Sequence, residues 1–239
     1  MAISAVALLL LGSGIARASS ETGFPREPVW IRGQDDIEVL VYPPRSRKGP
    51  QPIVVMLHGM CDEPENECPH FAESATKRGW LLCPRARLRC PGGGSIWHYP
   101  RRHETLRASV QAVHAAFPGL LDESPGRTLI GFSLGGIFGM DVAHRGEGKY
   151  RRVVLIGARV YPSAELLRAA GVDRLVLAAG ERDMMRWHMS EQARRLEQRG
   201  IAARFVSLGD AGHWFPPDLT TRMDSILDWM HESGQRSDR

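Results

Sequence analysis

Three residue types that together can activate a hydroxyl stand at separated points of the chain: Ser133, Asp183 and His213. A serine hydroxyl is a weak nucleophile at neutral pH. It needs a base within hydrogen-bond reach, and that base needs a third group to orient it. Ser133 lies in Gly131-Phe132-Ser133-Leu134-Gly135, directly after an apolar run that begins at Thr128 and directly before a helix-compatible segment. A strand-to-helix turn of this form lifts a serine hydroxyl above the end of a sheet. Small residues on both sides are what so sharp a turn requires. The first N–H groups of the following helix favour negative charge developing beside the hydroxyl. So short a motif is weak by itself, and its setting has to carry the argument.

The flanking segments read as alternating strands and helices. Residues 53–57 (Ile-Val-Val-Met-Leu) are continuously apolar and rich in β-branched side chains, as expected of a strand buried on both faces. Residues 80–83, 153–156, 175–179 and 203–207 are further strands, and 37–42 suits an edge strand. Helical spacing covers 68–78, 103–117, 137–144, 164–170, 189–199 and 219–230, while 85–101 reads as a long irregular connection. This alternation implies right-handed βαβ crossovers and an α/β fold with a mostly parallel, doubly wound sheet flanked by helices. In a parallel sheet the loops that follow the strands leave at one edge. Asp183 follows the strand ending at Ala179, and His213 follows the strand ending near Leu208, so both reach the edge that carries Ser133. Asp210 competes for the orienting role. It lies, however, in the tight turn Gly209-Asp210-Ala211-Gly212, where an aspartate tends to bond its own backbone, so Asp183 is the expected partner. Trp97, Tyr99 and Trp214, with Phe215, are candidate apolar walls for a substrate. His58 is expected to brace its loop through hydrogen bonds, and His98 and His188 to lie on the surface or on binding loops.

At 239 residues the chain suits one α/β domain with ample core. The net charge of +4 is modest, and the positive charge is scattered arginine, with Lys48, Lys77 and Lys149 the only lysines. That distribution describes a solvated surface, and no nucleic-acid partner is expected. Residues 3–15 are apolar, and Ala16-Arg17-Ala18 offers an A-x-A-type cleavage site before Ser19. Residues 1–18 therefore read as a secretory signal peptide, too short to span a bilayer, and 19–239 as the mature domain. A secreted or periplasmic location without stable membrane insertion follows. Cys61, Cys68, Cys83 and Cys90 suit two disulfides in an exported chain. Three connectivities are possible, and the local pairing of Cys61 with Cys68 and Cys83 with Cys90 is the expected one. The spacings contain no C-x-x-C pair, so no metal site is expected.

The combination resembles the α/β-hydrolase superfamily, and within it the small carboxylesterase/phospholipase group that includes acyl-protein thioesterases and dienelactone-hydrolase-like esterases. The resemblance rests on Leu57-His58-Gly59-Met60, Gly131-Phe132-Ser133-Leu134-Gly135-Gly136, Gly180-Glu181-Arg182-Asp183 and Gly212-His213, with the order Ser, Asp, His. It implies a serine hydrolase without a cofactor that cleaves small-molecule carboxylic esters through Ser133, His213 and Asp183. Thioesterase and serine peptidase are rival activities on the same machinery, and a non-catalytic binding protein is the rival of another class. The resemblance also implies an oxyanion hole formed by the backbone N–H groups of Met60 and Leu134. Lipases and epoxide hydrolases of this fold commonly insert a cap between the strands at 153–156 and 175–179, where this chain has room for one short helix. By that likeness there is no cap domain, and the open site suits small or water-soluble esters.

Overall fold

The computed structural model describes residues 23–232, and the segment read as a signal peptide lies outside the described residues. In chain order the strands are β1 (Val29–Arg32), β2 (Glu38–Tyr42), β3 (Gln51–Leu57), β4 (Trp80–Pro84), β5 (Leu88–Arg89), β6 (Ser95–Ile96), β7 (Leu121–Asp122), β8 (Arg127–Phe132), β9 (Tyr150–Ile156), β10 (Arg174–Ala179) and β11 (Ala203–Ser207). The helices are α1 (Pro64–Glu67), α2 (Pro69–Thr76), α3 (Arg102–Ala116), α4 (Leu134–Arg145), α5 (Ala164–Ala169), α6 (Arg186–Gln198) and α7 (Leu219–His231). The main sheet runs β1-β2-β4-β3-β8-β9-β10-β11, with β7 beside the start of β3. From β4 to β11 the pairing is parallel, while β1 and β2 continue the sheet in the antiparallel sense.

The continuous apolar runs form the central strands because both faces are covered. Ile53, Val55 and Leu57 join the core beneath α3, α4, α5 and α6, whereas Val54 and Met56 join the core beneath α2 and α7. Truncating a fully buried residue such as Leu155 to alanine removes about 2–5 kcal/mol in this kind of packing. The chain leaves β3 for β4 and returns through α3 to β8 on the other side of β3. The strand order reverses there, and in open α/β sheets ligands bind outside the carboxyl ends of strands at such a switch point. Among the described residues, no helix is long and apolar enough to cross a membrane.

Three expectations are corrected. The strand near residues 37–42 is not an edge, because β1 pairs outside it. The irregular connection at 85–101 holds the β5–β6 hairpin. The disulfides pair Cys61 with Cys90 and Cys68 with Cys83, not locally. Cys68 sits at the start of α2, packed into the core with Cys83 of β4. Cys61 adopts a left-handed conformation, φ 56°, beside the turn of the hairpin. Asp62 bridges Ser95 there, and Cys90 N–H donates to the Gly94 carbonyl, which brings Cys90 to Cys61.

Candidate active site

β8 ends at Phe132 and α4 begins at Leu134, which leaves Ser133 in the turn at φ 52°, ψ −117°. A non-glycine residue in so sparse a region costs on the order of 1–3 kcal/mol and persists only when its surroundings hold it. Here Ser133 N–H donates to the Ile156 carbonyl at 2.8 Å, and the Ser133 carbonyl accepts from Gly136 and Ile137 N–H at 3.0 and 3.1 Å. The turn passes so close to β3 that a Cβ on Gly135 would stand 2.2 Å from the Leu57 carbonyl oxygen.

The three residues singled out by type and spacing meet at the carboxyl edge of the sheet. His213 Nε2 lies 3.0 Å from Ser133 Oγ, and His213 Nδ1 lies 2.9 Å from Asp183 Oδ2. Asp183 is buried, and its Oδ1 accepts from Met185 N–H at 2.8 Å, so the carboxylate is held at both oxygens. An acidic acceptor on Nδ1 assigns the ring proton to that nitrogen and turns the Nε2 lone pair toward the serine hydroxyl. Asp210 is elsewhere, paired with Arg182 at 2.8 Å on the surface. Gly157, which directly follows β9 at φ 58°, was not singled out by sequence. A Cβ there would stand 2.9 Å from Asp183 Oδ2 and 3.0 Å from His213 Cε1.

The segment after β3 approaches the serine from the other side. A Cβ on Gly59 would stand 3.5 Å from Ser133 Cβ, so the loop that continues to Met60 passes against the serine turn. Leu134 opens α4, where first-turn N–H groups have no intrahelical acceptor. His58 anchors this loop from within. Its Nδ1 lies 2.8 Å from the Gly59 carbonyl, and its Nε2 accepts from Ala86 N–H at 3.2 Å. Burial pushes its pKa down to about 4, so the ring is neutral. Among the described residues, no group of three or more His, Cys, Asp or Glu side chains is placed to hold a metal ion.

Solved structures share this architecture. The chain matches esterase PE8 with a TM-score of 0.61 at 19% identity, covering 84% of this chain and 100% of that one. The chain has the α/β-hydrolase fold. A Pyrobaculum calidifontis esterase matches with a TM-score of 0.63 at 18% identity, covering 85% of this chain and 84% of that one. FphF of Staphylococcus aureus, a fluorophosphonate-binding serine hydrolase, matches with a TM-score of 0.64 at 15% identity, covering 85% and 98%. A scan of protein-family models and a search of curated proteins find no match.

On this α/β-hydrolase fold the expected aromatic walls separate. Trp97 is buried; its ring stacks on Phe138 at 5.0 Å, and its indole N–H donates to the His58 carbonyl at 2.8 Å. It pins the loop after β3 from behind and is not on the open face. Tyr99 opens a 3-10 turn, Tyr99–Arg101, ahead of α3. Trp214 is partly exposed next to His213 and meets Phe132 edge-on at 5.8 Å. Phe132 in turn lies 5.1 Å from the His213 ring and 4.7 Å from Phe215. Sequence reading missed Phe132, because a strand-end aromatic looks like ordinary core. Met60, Tyr161, Met184 and Trp187 are exposed apolar side chains that follow the carboxyl ends of β3, β9 and β10. Large apolar residues shortly after strand ends were the available signal.

Proposed function

We propose that this chain is a serine hydrolase that cleaves carboxylic esters through an acyl-enzyme. The observation that carries the reading is the hydrogen-bonded line from Ser133 Oγ through His213 to Asp183, at 3.0 and 2.9 Å. His213 Nε2 takes the hydroxyl proton as Oγ attacks the ester carbonyl. The carbonyl oxygen becomes an oxyanion facing the N–H groups of Met60 and Leu134, each worth about 3–4 kcal/mol in comparable sites. His213 then protonates the departing alcohol, and water repeats the sequence to release the acid. Asp183 holds the ring in the tautomer that leaves Nε2 free. The likeness to esterase PE8, the Pyrobaculum esterase and the serine hydrolase FphF supports the same class of reaction.

The connection from β9 to β10 contains only α5, which supports an open site without a cap. The exposed apolar side chains that follow the carboxyl ends of β3, β9 and β10 favour esters with an apolar acyl or alcohol group over the fully water-soluble ones the lidless form alone suggests. Two disulfides support export to an oxidising compartment, so the protein is proposed to be secreted or periplasmic. A panel of short-chain, long-chain and aryl oxyesters, thioesters and peptides, each run with Ser133→Ala as control, tests this. Oxyester turnover that vanishes in a folded Ser133→Ala variant is expected; preferred cleavage of thioesters or peptides assigns a rival activity.

A further inference from the structure

An acidic side chain the mechanism does not use lies directly behind the nucleophile. Glu67, at the end of α1, is fully buried. Its Oε1 accepts from Gly59 N–H at 3.0 Å. A Cβ on Gly59 would stand 3.0 Å from that oxygen, 3.3 Å from Phe132 Cδ1 and 3.5 Å from Ser133 Cβ. The carboxyl group, the loop and the serine are thus stacked in contact. No hydrogen bond of ordinary geometry reaches the buried Oε2, but the Asp62 carboxylate stands close enough to interact with the Glu67 carboxyl group, and no ion pair from Glu67 to a Lys, Arg or His is found among the described residues.

We propose that Glu67 is a positioning residue for the oxyanion loop: working as a protonated acid, it holds Gly59 and thereby aims the Met60 N–H over Ser133. The inference rests on the serine hydrolase reading above. Desolvation raises its pKa to about 8. The Gly59 N–H favours the anion and opposes the rise, while the hydrogen bond to Asp62 and that carboxylate's charge add to it, so the net shift is upward. The other ionisable groups on the surrounding elements do not offset this. His58, at the end of β3, is neutral. The Arg85 guanidinium, after β4, is taken up by Glu38, Glu63 and Glu65. On the β8–α4 side the residues that pack against Gly59, Phe132 and Ser133, carry no charge. Above the pKa the group becomes an anion behind the site where the substrate oxygen develops negative charge, and it opposes that charge. Activity is therefore expected to fall as pH rises through about 8.

Two substitutions separate this role from simple packing. Glutamine keeps the oxygen that accepts from Gly59 and cannot ionise. Glu67→Gln is expected to retain kcat near pH 7 within about threefold and to abolish the alkaline fall. Leucine removes the acceptor, and Glu67→Leu is expected to lower kcat about 100-fold with little change in KM. A second readout needs no turnover: the Tm of Glu67→Gln should exceed the wild-type value near pH 8 and match it near pH 4. An alkaline limb unchanged in Glu67→Gln, or full kcat in Glu67→Leu, overturns the proposal. Labelling of Ser133 by a fluorophosphonate, run on the same samples, keeps the two ideas apart. A labelled serine with an unchanged limb sinks the role of Glu67 alone, whereas a folded wild type that is neither labelled nor active sinks the hydrolase reading and the proposal with it.

Discussion

Asp183 and Asp210 compete for the same role and end in different surroundings. Asp183 is buried between His213 Nδ1 and the Met185 N–H, while Asp210 pairs with Arg182 in solvent. Orienting a histidine requires a fixed acceptor on the nitrogen that faces away from the serine, and only the first arrangement offers one. Asp183→Asn is expected to lower kcat on p-nitrophenyl acetate by about 10⁴-fold, through the wrong tautomer. Asp210→Asn loses one exposed ion pair, worth at most about 1 kcal/mol of stability, and should leave kcat nearly unchanged. The reverse ranking would assign the orienting acid to Asp210. Gly157 acts on the same pair, since its missing Cβ makes room for both Asp183 and His213. Gly157→Ala should displace the pair and lower kcat by about 100-fold. Unchanged kcat in that variant would show that the pair tolerates the shift.

At the scale of elements, the strands that carry the site were legible because β3, β8, β9 and β10 are buried on both faces and need continuous apolar runs. The serine turn was legible for a different reason, namely that small residues are the only ones its close approach to β3 admits. β1 was not, because four alternately half-buried residues outside the core leave little pattern to read. Trp97 was misplaced for a related reason: an aromatic in a connection without periodicity looks exposed, yet the hairpin folds it against His58. Glu67 was hidden by its neighbours. Asp62-Glu63-Pro64-Glu65-Asn66-Glu67 reads as a solvated acidic turn, and nothing local tells that its last member points inward. Cysteine pairing depends on tertiary register, which separation along the chain does not encode. A non-reducing peptide map should accordingly recover Cys61–Cys90 and Cys68–Cys83 linked peptides. Cys61–Cys68 and Cys83–Cys90 peptides would contradict the packing of the hairpin on the loop after β3. Removing either bridge is expected to cost about 3 kcal/mol of stability.

For the whole molecule, two buried ionisable groups under one loop give stability opposite dependences on pH. Glu67 keeps in the native state a proton that the unfolded chain releases above pH 4.5, so stability falls as pH rises from about 4.5 to about 8. His58, neutral when folded down to about pH 4, is protonated in the unfolded chain below 6.5, so stability falls as pH drops through that window. The two slopes oppose each other between about pH 4.5 and 6.5, and above that only the Glu67 slope remains. Urea unfolding with the disulfides intact should show a loss on the order of 2 kcal/mol between pH 6.5 and 8 in the wild type and none in Glu67→Gln. An identical loss in both would place the pH dependence outside Glu67. The account as a whole depends on one atom, Ser133 Oγ, being an activated nucleophile. Its most direct test is mass spectrometry of the folded protein after brief exposure to a fluorophosphonate, with a peptide map of the adduct. The result predicted is a single adduct on Ser133, formed at rates that collapse in His213→Ala and Asp183→Asn; a folded wild type that stays unlabelled, or that is labelled elsewhere while Ser133 stays free, would contradict it.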